Sequence, residues 1–256
     1  MSESKNYHGL VSEISYGPVP SRRFGRTLGI NLLPPNRKLC SFNCVYCQLG
    51  WSDQKDDLAA AVYPSVENVM FAARKKCMLP EWGGSAGPSY IVISGNGEPT
   101  LHPEFGKIAK DLLLLRDECC PKSKVICFTN GSRLDQKSVL EGLLMLDECH
   151  LKLDSGFERV DLPVEAGRFQ SMLEIAKKLP NLVLQSCFFT GRLSNIGNHD
   201  VKMWLDAVLQ LNPKRLDVYT VSRKTAVSGL LPVSHAQLLD YKEQLRSRGF
   251  DSVRII

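Results

Sequence analysis

The stretch KLCSFNCVYCQLG, residues 38–50, contains three cysteines within eight residues. They are Cys40, Cys44 and Cys47, separated by three residues and then by two. A structural zinc site needs four protein ligands, usually as two separated pairs, and the sequence has no second pair of cysteines two residues apart. An iron–sulfur cluster that only carries electrons is held by four thiolates. Three thiols without a fourth indicate a metal centre with one coordination position open to another molecule.

The composition is that of an ordinary globular protein. Of the 256 residues, 43% are hydrophobic and 23% are charged, which is enough for a sizeable core. The first ten residues, MSESKNYHGL, are polar and lack the apolar centre of a signal peptide. No apolar run reaches the roughly 20 residues that a membrane helix needs. We therefore expect a cytoplasmic protein that has no membrane partner.

Nine cysteines is a high count for a chain of this length. A disulfide framework is not expected where no export signal is present. Buried free thiols behave as small hydrophobic groups. We therefore expect a structural role for the six cysteines outside the triplet, which are Cys77, Cys119, Cys120, Cys127, Cys149 and Cys187.

The positive charge of the sequence is unevenly distributed. The net charge is +5, from 32 Lys and Arg against 27 Asp and Glu. A positive field beside the cysteines would suit an anionic ligand, a reduced electron donor or a nucleic acid, and a solvated surface is the alternative. Between Glu13 and Asp53 the sequence has no acid and five basic residues, namely Arg22, Arg23, Arg26, Arg37 and Lys38.

Strand-like and helix-like segments alternate along the chain, which predicts βα units and a mainly parallel sheet. The first predicted strand is TLGINLL, residues 27–33, and a short terminal strand is expected at residues 252–256. Ser65 and Ser234 are expected to cap two of the helices. About six βα repeats are fewer than the eight of a closed barrel. We predict an α/β fold, a partial (βα)6 barrel that is laterally open, with a doubly wound open sheet as the alternative.

One domain is expected over residues 1–256, with residues 1–26 as an N-terminal extension and residues 27–256 as the partial barrel. Polar residues and glycines collect where the predicted strands end. In parallel βα folds that edge of the sheet is where functional sites form. The residues at these strand ends are Gly95, Gly97, Glu98, Thr129, Asn130 and Asp154.

The spacing C-x-x-x-C-x-x-C on a loop after the first strand resembles the signature of the radical S-adenosylmethionine (SAM) superfamily. The resemblance implies that Cys40, Cys44 and Cys47 hold a 4Fe–4S cluster whose open iron is chelated by SAM. It also implies cleavage of SAM to methionine and a 5′-deoxyadenosyl radical, which takes hydrogen from a substrate. The partial barrel of that superfamily agrees with the strand count. A reduced flavodoxin- or ferredoxin-like protein would be the electron donor.

Further motifs resemble the SAM contacts of that superfamily. SGNGEPTLHPEF, residues 94–105, resembles its glycine–glycine–glutamate motif, with Asn96 as a departure between the glycines. FTNG and LKLD, residues 128–131 and 151–154, resemble its third and fourth strand ends, although many relatives carry serine where Lys152 stands. The resemblance implies a SAM-binding set that consists of Tyr46, Gly95, Gly97, Glu98, Thr129, Asn130, Lys152, Asp154, Gln185, Tyr219 and Val221.

A closer resemblance covers most of the chain. The segments YGPVPSRRFGRTLGINLLP, KLDSG and VYTVSR look like a group of wyosine-synthase-like radical SAM proteins, which makes a tRNA base one candidate substrate. Wyosine synthases use a second cluster held by cysteines upstream of the triplet, and no cysteine precedes Cys40 in this sequence. We therefore carry over the core chemistry and leave the substrate open.

Two other functions remain as alternatives. One is a radical SAM enzyme that modifies a peptide or protein. The other is a non-catalytic module that binds metal, such as zinc, or transfers electrons, for which the Gly95–Glu98 motif would have no use. Within the preferred function, Arg22, Arg23 and Arg223 are candidates for substrate contact because they flank the predicted open end of the barrel.

Overall fold

A nine-stranded sheet is the frame of the part of the chain that the structure describes. The computed structural model describes residues 9–21, 23–52, 61–82, 87–154 and 168–256. The strands are β1 (Ser15–Ser21), β2 (Gly25–Ile30), β3 (Tyr90–Ile93), β4 (Lys124–Thr129), β5 (Glu148–Lys152), β6 (Leu182–Gly191), β7 (Arg215–Thr220), β8 (Leu230–Pro232) and β9 (Val253–Ile255). The helices are α1 (Val66–Cys77), α2 (Phe105–Cys119), α3 (Lys137–Met145), α4 (Arg168–Ala176), α5 (Asn198–Leu211) and α6 (His235–Arg246).

The strand order is β1-β2-β3-β4-β5-β6-β7-β9, and β8 pairs with β6 outside this path. Neighbours from β2 to β9 along the path are parallel, and β1 is antiparallel to β2. Each crossover therefore moves in the same direction, whereas a doubly wound sheet reverses its order at a switch point. β1 and β9 are the two edges of this path, so the sheet is not closed. The prediction of a laterally open partial barrel is confirmed, and the doubly wound alternative is wrong.

Two strands were not predicted from the sequence. β1, with the sequence SYGPVPS, carries two prolines and a glycine, which hide a strand pattern but are tolerated at a sheet edge. β8 has only three residues. The terminal strand was predicted correctly, since β9 pairs with β7. Both helix caps are also confirmed, because the Ser65 and Ser234 hydroxyls accept hydrogen bonds from backbone N–H groups three residues later, at 3.2 Å in each case.

The main core lies between the sheet and the helices. It includes the apolar faces of α1, α2, α3 and α5 and alternate residues of the strands. Five of the six cysteines outside the triplet are buried, as expected for structural thiols. Cys119 is the exception, because it is half-buried at the end of α2, with Arg74 near its sulfur at 3.5 Å. No helix in the described segments is long and apolar enough to span a membrane.

The other face of the sheet carries an aromatic cluster around Phe24, which lies in the turn between β1 and β2. The Phe24 ring packs against Tyr90, Phe128 and His150, with centroid distances between 5.1 and 5.8 Å. The turn that follows β1 therefore folds into the interior of the partial barrel and fills the space between β3, β4 and β5.

Buried charges lie on this same interior face. Glu148, the first residue of β5, is 1% exposed, and its carboxylate lies 2.9 Å from His150 Nε2. It also accepts hydrogen bonds from Lys124 Nζ at 3.2 Å and from Arg215 Nη2 at 3.1 Å. Three partners of a buried carboxylate offset the cost of removing its charge from water.

The pKa of Glu148 is lowered by this network. Burial by itself would raise that pKa, but the hydrogen bonds and charges of His150 and Arg215 outweigh burial. The folded pKa is therefore below the unfolded one. The stability from the network is present above the ordinary glutamate pKa of about 4.3 and is lost as the pH falls toward the folded value.

Replacement of Glu148 by glutamine should lower the free energy of unfolding at pH 7 by roughly 3 kcal/mol, because Arg215 and Lys124 lose a buried counter-charge. The variant should also lose less stability than the wild type between about pH 5 and pH 3, since the titrating group is gone. Urea unfolding at several pH values measures both effects. Glu141→Gln, whose side chain is 60% exposed, is the control and should behave as the wild type does. Equal urea midpoints for Glu148→Gln and wild type at pH 7 would contradict the expectation.

Candidate functional site

The loop that carries the three cysteines is held against the end of β3 by backbone pairing. Leu39 and Gly97 form an isolated parallel bridge. The Leu39 N–H donates to the Asn96 carbonyl at 2.8 Å, and the Glu98 N–H donates to the Leu39 carbonyl at 3.0 Å. Cys40 follows Leu39 directly, so this pairing places the first thiol beside the glycine-rich motif.

Glycine is required at position 97 by this close approach. A Cβ atom on Gly97 would overlap the carbonyl oxygen of Leu39, and the backbone has a φ of +145°. At Gly95 a Cβ atom would overlap the side chain of Asn31. The two glycines of the motif therefore let the cysteine loop and the end of β2 pack against the end of β3.

A buried lysine closes the base of the cysteine loop. Lys38 is 2% exposed and donates from Nζ to the Gly50 carbonyl at 2.7 Å. Within the loop, the Cys47 N–H donates to the Cys44 carbonyl at 3.0 Å. All three thiols of the triplet are half-buried and none is in a disulfide. The loop therefore presents three free thiols over the carboxyl ends of the strands.

The surroundings of Cys40 and Cys44 keep these two thiols protonated when no metal is bound. Burial and the charge of Glu98 raise the pKa of Cys40 to about 12. Burial and the charge of Asp154 raise the pKa of Cys44 to about 11. Since thiolates bind metals and thiols do not, metal binding to this loop releases protons.

The donor set fits an iron–sulfur cluster better than a single ion. Among the described residues, no group of three His, Cys, Asp or Glu side chains is arranged to hold one metal ion. The thiolates of a four-iron cluster each bind a different iron, so their sulfur atoms need not converge on one point. Three free thiols on one loop match that requirement.

The Glu98 carboxylate joins the ends of β3 and β4. Glu98 is 2% exposed, and its Oε1 accepts hydrogen bonds from Thr100 N at 3.1 Å, Thr100 Oγ1 at 2.6 Å and Thr129 Oγ1 at 2.8 Å. Its Oε2 accepts from the Asn130 N–H at 2.6 Å. Burial raises the pKa of Glu98, and these hydrogen bonds oppose the increase.

Asn130 links this carboxylate to the cysteine loop. Its Nδ2 lies 3.0 Å from Ser41 Oγ and 3.7 Å from Cys40 Sγ. Ser41 Oγ in turn lies 2.5 Å from Ser132 Oγ. The predicted residues Gly97, Glu98, Thr129 and Asn130 are thus brought together next to Cys40.

A second group forms around Lys152 at the end of β5. Lys152 donates to the Tyr219 hydroxyl and lies over the rings of Tyr219 and Tyr46, at 4.6 and 5.0 Å from their centroids. Its Nζ is 3.9 Å from Asp154 Oδ1, and the Tyr46 hydroxyl donates to Asp154 Oδ2. The predicted residues Lys152, Asp154 and Tyr219 are therefore in contact with one another and with Tyr46. Since Tyr46 belongs to the cysteine loop, it connects the other three to that loop.

Lys152 keeps its positive charge in this group. Burial would lower its pKa, but the attraction of Asp154 and the contact with Tyr219 outweigh burial, so the pKa of Lys152 is raised. Burial raises the pKa of Tyr219 to about 12, although the Lys152 charge opposes the increase. At neutral pH Lys152 is therefore a cation, and the phenols of Tyr46 and Tyr219 are neutral.

Not every predicted residue lies in these two groups. Gln185 is buried deeper in the barrel, where its Nε2 lies 3.0 Å from His150 Nδ1. Val221 packs in a small apolar cluster with Val45. Arg223 is exposed, with its Nη1 3.4 Å from Gln48 Oε1. Arg22 is outside the described residues.

Two residues of the site were missed from the sequence. Asn195 is 1% exposed, and its side chain donates to the carbonyls of Asp154 at 2.9 Å and Cys187 at 2.8 Å, which holds the end of β5 against β6. No motif surrounds Asn195, so only tertiary structure shows its contacts. Lys38 was counted with a basic field, although its position beside Cys40 could have indicated a role in the loop.

The profile of the Radical SAM superfamily matches residues 38–223, from the start of the cysteine loop to the residues just after β7. Because the match covers more than half of the chain, the chain belongs to the radical SAM superfamily. It is an enzyme of that superfamily, and the membership supports chemistry that begins with SAM cleavage.

Curated relatives cover most of the chain at moderate identity. A Brachyspira hyodysenteriae protein named GTPase Obg is 28% identical over 241 residues, which are 88% of this chain and 32% of that protein. A UPF0026 protein of Helicobacter pylori is 27% identical over 229 residues, which are 83% of this chain and 68% of that protein. The chain thus spans about a third of the Brachyspira protein.

Solved structures share the fold. A radical SAM methyltransferase from Sphaerobacter thermophilus has a TM-score of 0.62 at 13% identity, over 90% of this chain and 66% of that one. Streptococcus suis SuiB, bound to its precursor peptide SuiA, has a TM-score of 0.61 at 15% identity, over 89% and 48%. Archaeal TYW1 has a TM-score of 0.50 at 12% identity, over 86% and 71%. At such identities the likeness shows the fold alone.

Replacement of Gly97 by alanine should separate the cysteine loop from the end of β3, because the new Cβ overlaps the Leu39 carbonyl. We expect a loss of about 1–3 kcal/mol in unfolding free energy and several-fold less bound iron after anaerobic reconstitution. Urea unfolding and iron and sulfide analysis measure these effects. The control is Gly197→Ala, where φ is −62° and alanine is allowed. Iron retention by Gly97→Ala at the wild-type level would contradict the expectation.

Proposed function

We propose that Cys40, Cys44 and Cys47 hold a 4Fe–4S cluster in this enzyme and leave one iron for SAM. When bound, the cluster supplies the electron that cleaves SAM to a 5′-deoxyadenosyl radical, which takes a hydrogen atom from the substrate. The observation that carries the proposal is the backbone pairing of Leu39 with Gly97. That pairing sets the three-thiol loop against the motif that would hold an amino acid.

The residues around Glu98, which lie next to Cys40, are suited to bind the amino group of SAM. Glu98 Oε2 accepts one hydrogen bond from the described residues, at Asn130, and a carboxylate oxygen has a second lone pair for an ammonium group. The carbonyls and N–H groups around Gly95 and Gly97 lie at the same edge. Thr129 and Asn130 hold the carboxylate in a single position, so it needs no reorganisation when the ammonium binds.

The group around Lys152 is suited to bind the carboxylate or the ribose of SAM. Lys152 is charged and has three N–H donors, of which one is used by Tyr219. Tyr46 and Tyr219 offer ring faces and Val221 an apolar contact for ribose and adenine, whereas Gln185 contacts His150 in this structure. Asp154 balances the lysine charge, which keeps the ammonium fixed beside the cysteine loop.

A non-catalytic metal-binding or electron-transfer module is a weaker interpretation. Such a module needs a fully protein-ligated metal, and it has no use for a buried carboxylate and an ammonium placed on either side of the cysteine loop. For the electron itself we propose a reduced flavodoxin- or ferredoxin-like donor, as for other proteins that need a low-potential electron.

The variant Cys44→Ala should lose most of its iron after anaerobic reconstitution and should form no 5′-deoxyadenosine from SAM and dithionite. The reason is that a thiolate ligand is removed from the cluster. Iron analysis and chromatography of the SAM products measure both outcomes. Cys119→Ala, which removes a half-buried thiol outside the loop, should retain both properties. Unchanged iron content in Cys44→Ala, or SAM left intact by the wild type, would contradict the proposed function.

As substrate we propose a base in tRNA, supported by the resemblance of the sequence to wyosine-synthase-like proteins and by the net charge of +5. A peptide or protein residue is the alternative, supported by the shared fold with SuiB bound to a precursor peptide. The chain spans only part of the solved proteins it resembles, so neither substrate follows from the fold.

Removal of the protein from its host should abolish one modified nucleoside in tRNA, which mass spectrometry of digested tRNA detects. Complementation with wild-type protein should restore that nucleoside, and complementation with Cys44→Ala should not. Cys119→Ala serves as the complementation control and should restore it. Identical nucleoside profiles in all strains would exclude the tRNA proposal and favour a peptide or protein substrate.

A further inference from the structure

Inside the partial barrel, the described part of the chain leaves one arginine with a buried nitrogen that has no partner there. The Nη1 atom of Arg23 is shielded from solvent and makes no hydrogen bond with any residue that the structure describes. Buried polar atoms are nearly always hydrogen-bonded, and a charged one that is not costs considerable free energy. The Arg23 guanidinium therefore requires an explanation beyond the fold.

The turn between β1 and β2 directs Arg23 into the barrel. Ser21 Oγ accepts hydrogen bonds from the backbone N–H groups of Arg23 and Phe24, each at 3.2 Å, and Phe24 packs into the interior cluster. Arg26, three residues later, points elsewhere and donates to the carbonyls of Glu81 and Trp82. The interior position of Arg23 is thus a property of this turn and is not shared by its basic neighbour.

Aromatic rings support the guanidinium without using its N–H groups. The Arg23 Cζ lies 5.0 Å from the ring centroid of Tyr219 and 5.7 Å from that of Phe24. A guanidinium beside aromatic faces is stabilised by cation–π attraction, and its N–H groups stay free for an anion. The ring of Tyr219 also contacts the ammonium group of Lys152 at the end of β5. Arg23 and Lys152 therefore share one aromatic ring.

The acids of the interior are used by other partners. Asp154 accepts from Tyr46 and from the Cys187 N–H at 2.6 Å. Asp217 accepts from Arg215 at 2.9 Å and Arg254 at 2.7 Å.

Glu148 is paired with Lys124, Arg215 and His150. None of the three acids forms a salt bridge with Arg23 within the described residues. Among the residues that the structure describes, two cations, Arg23 and Lys152, therefore lie near Tyr219 together with the carboxylate of Asp154.

We propose that Arg23 binds an anionic group of the substrate, a phosphate or a carboxylate, inside the barrel. A guanidinium binds either anion through two parallel hydrogen bonds, and such charge-assisted bonds are stronger than neutral ones. The inference rests on the proposed function, since it assigns the substrate of that same site. It predicts that the part of the substrate inside the barrel is held by its negative charge.

The test uses the anaerobically reconstituted full chain, without reductant, and two probes. Inorganic phosphate and acetate are titrated separately at constant ionic strength set with sodium chloride, and binding is measured by calorimetry. Saturable binding of either anion supports the proposal, and the anion that binds identifies the source of the charge. Arg23→Gln should weaken that binding by about 10- to 100-fold, because one charge-assisted contact is lost.

Three controls separate the possible causes of a loss of binding. Arg192→Gln, which removes an exposed guanidinium, should bind the anion as the wild type does. Arg23→Lys should recover part of the affinity, which a purely structural role would not predict. SAM should leave the anion titration unchanged, and its own binding and cleavage are measured separately, so failure of the proposed function is seen apart from failure of the anion site.

A second measurement does not depend on the variant folding. Phenylglyoxal modifies arginines that it can reach, and Arg23 as a residue is half-buried although its Nη1 is shielded. Tandem mass spectrometry of the digest reports modification at each position. The bound anion should protect Arg23 in the wild type and should not protect Arg192. No saturable binding of either probe, unchanged affinity in Arg23→Gln, or displacement of the probe by SAM would each overturn the proposal.

Discussion

The close approach of the Leu39 carbonyl to Gly97 is the contact on which the site depends. This approach is possible only because residue 97 has no Cβ. Through it, the loop between β2 and α1 forms an additional β-bridge beside the sheet. Cys40 and Glu98 follow the two bridged residues directly. A single backbone contact therefore sets the distance between the thiols and the buried carboxylate, and Asn130 reinforces it with contacts to Glu98 and Ser41.

Charge inside the barrel is the second constraint. Carboxylates and cations on the interior face of a sheet lose their hydration, so each must find a partner in the protein or in a ligand. Glu148 and Asp217 are matched by basic residues at the start of the strands, which makes that end of the barrel a stable base. Near Tyr219 the described charges are arranged differently, because Lys152 and Arg23 lie on one ring beside Asp154, whereas Glu98 beside Cys40 is held by hydroxyl and N–H groups. The same physical rule thus accounts for the stable base of the barrel and supports the anion site that we propose at the other end.

The basic residues near the triplet show where prediction from sequence fails. The sequence left open whether they form a positive field or a solvated surface, and the described side chains go to different places. Lys38 is buried under the cysteine loop, Arg23 enters the barrel, and Arg26 binds carbonyls near Trp82. Residues that are close in sequence need not lie on the same surface, because successive side chains of an extended segment point in opposite directions and a turn changes the direction again. Phe24 was missed for the same reason, although its ring fills the barrel interior.

The sequence alone determined the order of the helices and of every strand except β1 and β8, the caps at Ser65 and Ser234, and the spacing of the cysteines, because these depend on residues close together in the chain. Tertiary structure decided which side chains meet. Tyr46 and Asp154 are 108 positions apart, and their contact exists only because the loop after β2 and the end of β5 reach the same edge of the sheet. Local periodicity carries no information about such pairs, so the Lys152 group and the contacts of Arg23 required the folded chain.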